Sequence, residues 1–222
     1  MVRTRGFRPR NGSSILPGAT PEPTQSALCC FGVDLMQVFI SISLPEELQN
    51  VIFKIQGELK PYHENRISWV RPHLSHITLK FLGEVAENEI PDITNVLGEI
   101  ALINSPIDLN ITEIGGFPNV KNPRVLWLGV DGGNNLEGLR DQVESKINKL
   151  GFKKETKQFN PHLTLGRVKH LERGTKMIAK LTSINTPSII WKATDIKLMS
   201  SQQTPRGVNY KTLTISKFGQ SD

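Results

Sequence analysis

Only two cysteines occur in the chain, Cys29 and Cys30, and they are adjacent. Neighbouring cysteines cannot staple a core and do not have the spacing of a zinc site, so a disulfide scaffold and a zinc finger are both excluded and a reducing compartment is expected. Apolar runs near the roughly 18 residues of a membrane span are also missing. The longest apolar stretch near the start, from Ala27 to Val33, is too broken for a signal-peptide core. A soluble, cytoplasmic protein is expected. No glycine-rich loop followed by Lys-Ser or Lys-Thr is present, and Gly132-Gly133 reads as a turn, so a P-loop is excluded. His73 and His76 stand three apart, but in a strand they face opposite ways, and no carboxylate or cysteine completes a set around them. No metal and no cofactor is expected.

The first 35 residues have no helical or strand periodicity and are rich in Arg, Pro, Gly, Ser and Thr. They read as a flexible tail or as a misassigned start, with translation from Met36 favoured. A transit peptide fits less well, because Pro9, Pro17, Pro21 and Pro23 interrupt any amphipathic helix; a basic RNA-binding arm is the other alternative. Without these residues the chain has 23 basic and 19 acidic side chains, a surplus of four that suits an anionic ligand but selects none.

From Met36 the pattern alternates between periods of two and of 3.6 residues, and one domain over 36–222 is expected. A strand carries Met36, Val38, Ile40 and Ile42; a helix then runs to about Leu59, opened by a capping box of Ser43 with Glu46. Strands follow at 67–70 and 75–82, the latter ended by Gly83, then a helix over 88–102 and strands over 107–114 and 124–130. Leu136, Leu139, Val143 and Ile147 mark a third helix closed by Gly151. A short helix near 175–181 and strands near 194–199 and 210–216 complete the chain. Strands arriving partly as hairpin partners and partly after helices favour a mixed, largely antiparallel α+β architecture.

Within this pattern one tetrad occurs twice, 86 residues apart: His76-Ile77-Thr78-Leu79 and His162-Leu163-Thr164-Leu165. On a strand His and Thr two apart share a face while the aliphatic residues take the other. Two such strands facing one cleft would supply two imidazoles and two hydroxyls, a set suited to moving protons around a phosphate, one histidine as base and one as acid. The threonines would donate hydrogen bonds to phosphate oxygens as charge builds. A single His-x-Thr is an ordinary accident, but two in strands, each with a proline shortly before it (Pro72, Pro161), are not.

The residues around the tetrads are similar to those of the 2H phosphoesterase superfamily, in particular the RNA 2′,3′-cyclic phosphodiesterase family, historically called 2′-5′ RNA ligases. The similarity runs from Met36 to about Phe218. It includes Leu44-Pro45-Glu46-Glu47-Leu48, the segment from His76 to Val85, Phe117-Pro118, Pro123 to Val130, Phe159 to Val168, Gly207 and Tyr210. The resemblance implies a bilobal fold of two mainly antiparallel sheets flanked by helices, with pseudo-twofold lobes around a central cleft. It further implies hydrolysis of 2′,3′-cyclic phosphate ends of RNA to 2′-phosphates, with reversible 2′-5′ joining as the related transfer. His76 would then be the proton donor, His162 the base, and Thr78 and Thr164 the phosphate holders. RNA with a cyclic end is the expected partner, and a monomer the expected state. An RNA-binding module without turnover, or a relative acting on a small cyclic nucleotide, are the alternatives.

Other residues carry less. Arg167 lies five positions after His162, an odd offset that turns it away in an ideal strand, yet its charge makes it a candidate for phosphate or RNA. Phe81, Trp127 and Tyr210 could stack on a base, with Trp127, between Leu126 and Leu128, expected in the core. Lys80 and Lys169 are expected in solvent, with a secondary role in guiding RNA. His63 and His170 read as loop histidines.

Overall fold

Nine strands and four α-helices make up the computed structural model, which describes residues 35–62, 67–170, 176–205 and 207–219. The expected tail, apart from Leu35, lies outside the described residues, as does His63. In chain order the elements are β1 (Leu35–Ser43), α1 (Glu46–Leu59), β2 (Ile67–Trp69), β3 (His76–Ala86), α2 (Ile90–Leu102), β4 (Ile107–Phe117), β5 (Val125–Asp131), α3 (Gly133–Lys149), β6 (His162–Val168), α4 (Lys176–Ser183), β7 (Ile190–Ala193), β8 (Asp195–Thr204) and β9 (Gly207–Lys217). Among the described residues no helix is long and apolar enough to cross a membrane.

Every strand pair is antiparallel, in the order β7-β4-β5-β6-β3-β1-β8-β9, with β2 added on β6. The fold is thus α+β, as expected, and its two sheets are halves of one path. They meet at a single rung, Ile77 opposite Leu163. Beyond that rung the edge of β6 is taken by β2, with Trp69 opposite Gly166.

Alternation drives the strands and helical spacing the helices. Val38, Ile40 and Ile42 of β1, and Leu48, Ile52, Ile55 and Leu59 of α1, are all buried, and the buried apolar residues of both halves form one cluster. The capping box expected at Ser43 is not formed. Ser43 is still strand, paired with His76, and the helix starts after Pro45, whose carbonyl accepts from the N–H of Leu48 and of Gln49. A local cap was outcompeted by strand pairing, and Glu46 and Glu47 in the first turn favour the helix start instead. Gly151, at φ 98°, ends α3 in the left-handed conformation that favours glycine.

The helices cross between the halves. α1 leaves β1, yet its Gln56 Nε2 donates to Leu165 O on β6 (2.9 Å) and to Val70 O (2.7 Å). α3 leaves β5, yet its Glu144 pairs with Lys80 on β3 at 2.7 Å. Meanwhile α2 stays with its own half through Thr94 and Thr214 (3.0 Å), and α4 joins α1 through Lys180 and Glu58 (2.7 Å).

Candidate active site

The rung that joins the halves falls on the second position of both tetrads. Partner numbers run in opposite directions in an antiparallel pair, so one step to either side sets His76 against Thr164 and Thr78 against His162. The aliphatic positions Ile77, Leu79, Leu163 and Leu165 are all buried, at 4% exposure or less. The four polar side chains therefore leave the opposite face together. The two imidazoles occupy one diagonal of this square and the two hydroxyls the other.

Both rings are held the same way. His76 Nδ1 lies 2.8 Å from Leu74 O, and His162 Nδ1 lies 2.8 Å from Asn160 O, each carbonyl two residues before its histidine. A carbonyl oxygen only accepts, so this bond assigns the proton of the neutral ring to Nδ1 and leaves Nε2 to exchange protons. Aromatic rings fix the planes: Phe39 stacks on His76 at 4.7 Å and Tyr210 meets it edge-on at 5.2 Å, while Phe117 meets His162 edge-on at 5.1 Å. Burial holds both histidines below the usual 6.5; their carbonyl bonds oppose that fall, and the charge of Arg167 adds to it. A charge on His162 further disfavours a proton on His76. Tyr210 is pushed up by burial, against the pull of Arg167, and stays a neutral phenol.

Arg167 reaches this group because β6 is bulged. Leu126 pairs with Gly166 but Trp127 with Thr164, so Leu165 is one residue too many. Two successive residues, Leu165 and Gly166, then face the core, and Arg167 turns to the histidine face despite its odd offset. β3 repeats the device. Ser41 pairs with Thr78 and Ile40 with Lys80, Leu79 is extra, and Phe81 turns out to the cleft face, 71% exposed and 6.1 Å from Phe39.

The bulge on β3 corrects the expectation for Lys80. It is 4% exposed, not solvated, and its ammonium donates to Glu144 and to Lys153 O, both at 2.7 Å. At the matching position of β6 stands Gly166, where a Cβ would lie 2.9 Å from Ile67 Cγ2 and 3.1 Å from Trp69 Cε3, so the missing side chain makes room for β2.

Trp127 is also corrected. Leu126 and Leu128 take the core, and alternation puts the indole on the cleft face, 5.0 Å from Phe117 and 6.5 Å from His162. It lies over Gly115 and Gly129, where a Cβ would press on its ring. Two glycines around one strand tryptophan are a signal that sequence inspection could have used. Phe39 was readable too, as the off-core residue of an alternating strand, whereas Phe117 has the parity of the buried Ile107, Leu109 and Ile111 and is turned to the cleft by a bulge between Ile111 and Ile114. His73 sits in a 3₁₀ turn, Pro72–Leu74, rather than a strand; it, His170 and Lys169 are exposed. Among the described residues no three His, Cys, Asp or Glu side chains gather as a metal set.

The sequence profile of LigT-like phosphoesterases matches twice in succession, over residues 42–127 and 128–210, one tetrad in each match. A Methanocaldococcus jannaschii protein named RNA 2′,3′-cyclic phosphodiesterase is 36% identical over 181 residues, which cover 80% of this chain and 98% of that one. A Methanothermobacter thermautotrophicus protein of the same name is 30% identical over 186 residues, covering 82% and 99%. The crystal structure of TT0787 of Thermus thermophilus superposes with a TM-score of 0.70 at 25% identity, covering 84% of this chain and 100% of that one. With the profile matching each half of the chain, and relatives and fold in agreement with it, the chain belongs to the LigT-like phosphoesterase family.

Proposed function

We propose that the chain hydrolyses 2′,3′-cyclic phosphate ends of RNA to 2′-phosphomonoesters by acid–base catalysis between His76 and His162. The observation that carries this reading is the square itself: two imidazoles with free Nε2 atoms on one diagonal and two hydroxyls on the other. In-line attack needs a base on one side of phosphorus and an acid on the other. Nε2 of His162 takes a proton from water as its oxygen bonds to phosphorus. The bond from phosphorus to O3′ breaks, and O3′ takes the proton of His76 Nε2. Each transfer is worth about 10²- to 10⁴-fold in rate. Thr78 and Thr164 donate to the non-bridging oxygens, and Arg167 offsets the charge that builds there. The names of the relatives support this substrate. With a ribose hydroxyl in place of water the same transfer is 2′-5′ joining.

The histidine shifts give the pH dependence a sign. Both groups sit below 6.5 without substrate, so the form with one proton between them is populated only between two values that are themselves below 6.5. The profile of kcat/KM, which reports the free enzyme, is therefore expected to be a bell with its maximum below pH 6.5. A bound phosphodiester anion stabilises the imidazolium, so the kcat profile should lie at higher pH. A kcat/KM maximum above neutrality would contradict the arrangement.

The deciding experiment is incubation of a short RNA ending in a 2′,3′-cyclic phosphate, in chelator, with the product identified. Expected is a 2′-phosphate with undiminished turnover; a 3′-phosphate would reverse the leaving group, and loss of turnover in chelator would end the metal-free scheme. RNA bound but unchanged would indicate a binding module, and turnover of mononucleotides alone a small-molecule enzyme.

A further inference from the structure

Past the rung of Val125 with Arg167, the β5–β6 ladder opens into a cavity of about 450 Å³ lined by Asn122, Pro123, Arg124, Val168, Lys169 and His170. Both walls are held by hydrogen bonds from backbone N–H groups. Arg124 N donates to Phe117 O (2.6 Å), Val168 N donates to Arg124 O (2.9 Å), and Asn122 N is held by Asn119 Oδ1 (2.9 Å). Among the described residues no acidic side chain lines it, and neither Arg124 nor Lys169 has a carboxylate partner. Two cations in one polar cavity, with no described carboxylate beside them, favour an anionic occupant. Resting on the function proposed above, we propose that this cavity is an RNA subsite that binds the backbone phosphate upstream of the cyclic end.

The position selects that phosphate over the reacting one. Lys169 follows Arg167 by two residues, in the bend after β6, so their Cα atoms are at most about 7 Å apart. That is comparable with one step along an extended RNA backbone. The terminal phosphate belongs to the histidine square, so the next one falls within reach of Lys169 and Arg124. Contacts to the backbone alone carry no base information, so the subsite confers a preference for polymer over mononucleotide without a sequence preference.

The test compares adenosine 2′,3′-cyclic phosphate with a tetranucleotide ending in a cyclic phosphate, for wild type and for Arg124→Ala/Lys169→Ala. Wild type should favour the tetranucleotide. The double variant should lose about tenfold in kcat/KM on it, with a salt slope shallower by roughly 1.4, about 0.7 for each cation lost. Turnover of the mononucleotide should be unchanged, which also reports intact folding. Equal losses on both substrates, an unaltered slope, or no wild-type preference for the tetranucleotide would overturn the subsite while leaving the phosphodiesterase standing. Wild type inert on both substrates would overturn the catalytic reading and the subsite with it.

Discussion

Replacing His162 by Ala is expected to lower kcat/KM on a cyclic-ended RNA by about 10²- to 10⁴-fold, and His76→Ala by the same order. Neither variant should lose its fold. The imidazoles are half-buried on the cleft face, whereas the joint between the halves is made by Ile77 and Leu163, both fully buried. The carbonyls of Leu74 and Asn160, freed of their rings, open towards the cleft, where water can satisfy them. The double variant should be little worse than either single one, because acid and base serve one step and their effects do not add. Circular dichroism and a thermal midpoint close to wild type, beside lost turnover, would complete the result. Undiminished turnover in both single variants would refute the assignment.

Lys80→Met is expected to cost about 3–5 kcal/mol of folding stability, since it leaves Glu144 buried without its cation. The side chains of Lys80 and Glu144 are 2% and 7% exposed, so solvent does not replace the lost partner. Arg140, whose guanidinium is 3.9 Å from the other carboxylate oxygen, and the N–H of Glu155, which donates to the carboxylate at 3.1 Å, remain as weaker partners and set the loss towards the lower end of that range. A loss of that size is a large share of the roughly 5–15 kcal/mol that keeps a domain folded. Adding Glu144→Leu should restore most of it, because an apolar pair of similar volume removes the stranded charge. Urea titration of the three proteins measures both effects. A single variant as stable as wild type would mean that the pair is not a buried one.

The histidine square was legible because it depends only on the two-residue period of a strand, which the tetrads display twice. What escaped was everything set by an extra residue. Nothing in Thr164-Leu165-Gly166-Arg167 announces that Leu165 is bulged, since a bulge is a property of two strands and only one is visible locally. Arg167 was therefore left facing away by parity, and on β3 an extra residue of the same kind turns inward Lys80, which had been expected in solvent. β7 escaped for another reason: Ile190–Ala193 is four residues long, too short for alternation to stand out. Ser43 kept its helix-capping chemistry in sequence and spent its backbone on β1 in the fold.

The exchange of α1 and α3 between the halves bears on ancestry. The repeated profile fits descent from a half-length chain, and in such a chain the first helix of each unit would have packed partly on the partner copy. It implies a precursor that paired with itself, its helices swapped and one tetrad from each copy meeting at the symmetry axis. Fusion would then have freed the two copies to drift apart. The position that the bulges bring to the cleft marks that drift most plainly, with an aromatic ring, Phe81, in one half and a fixed cation, Arg167, in the other.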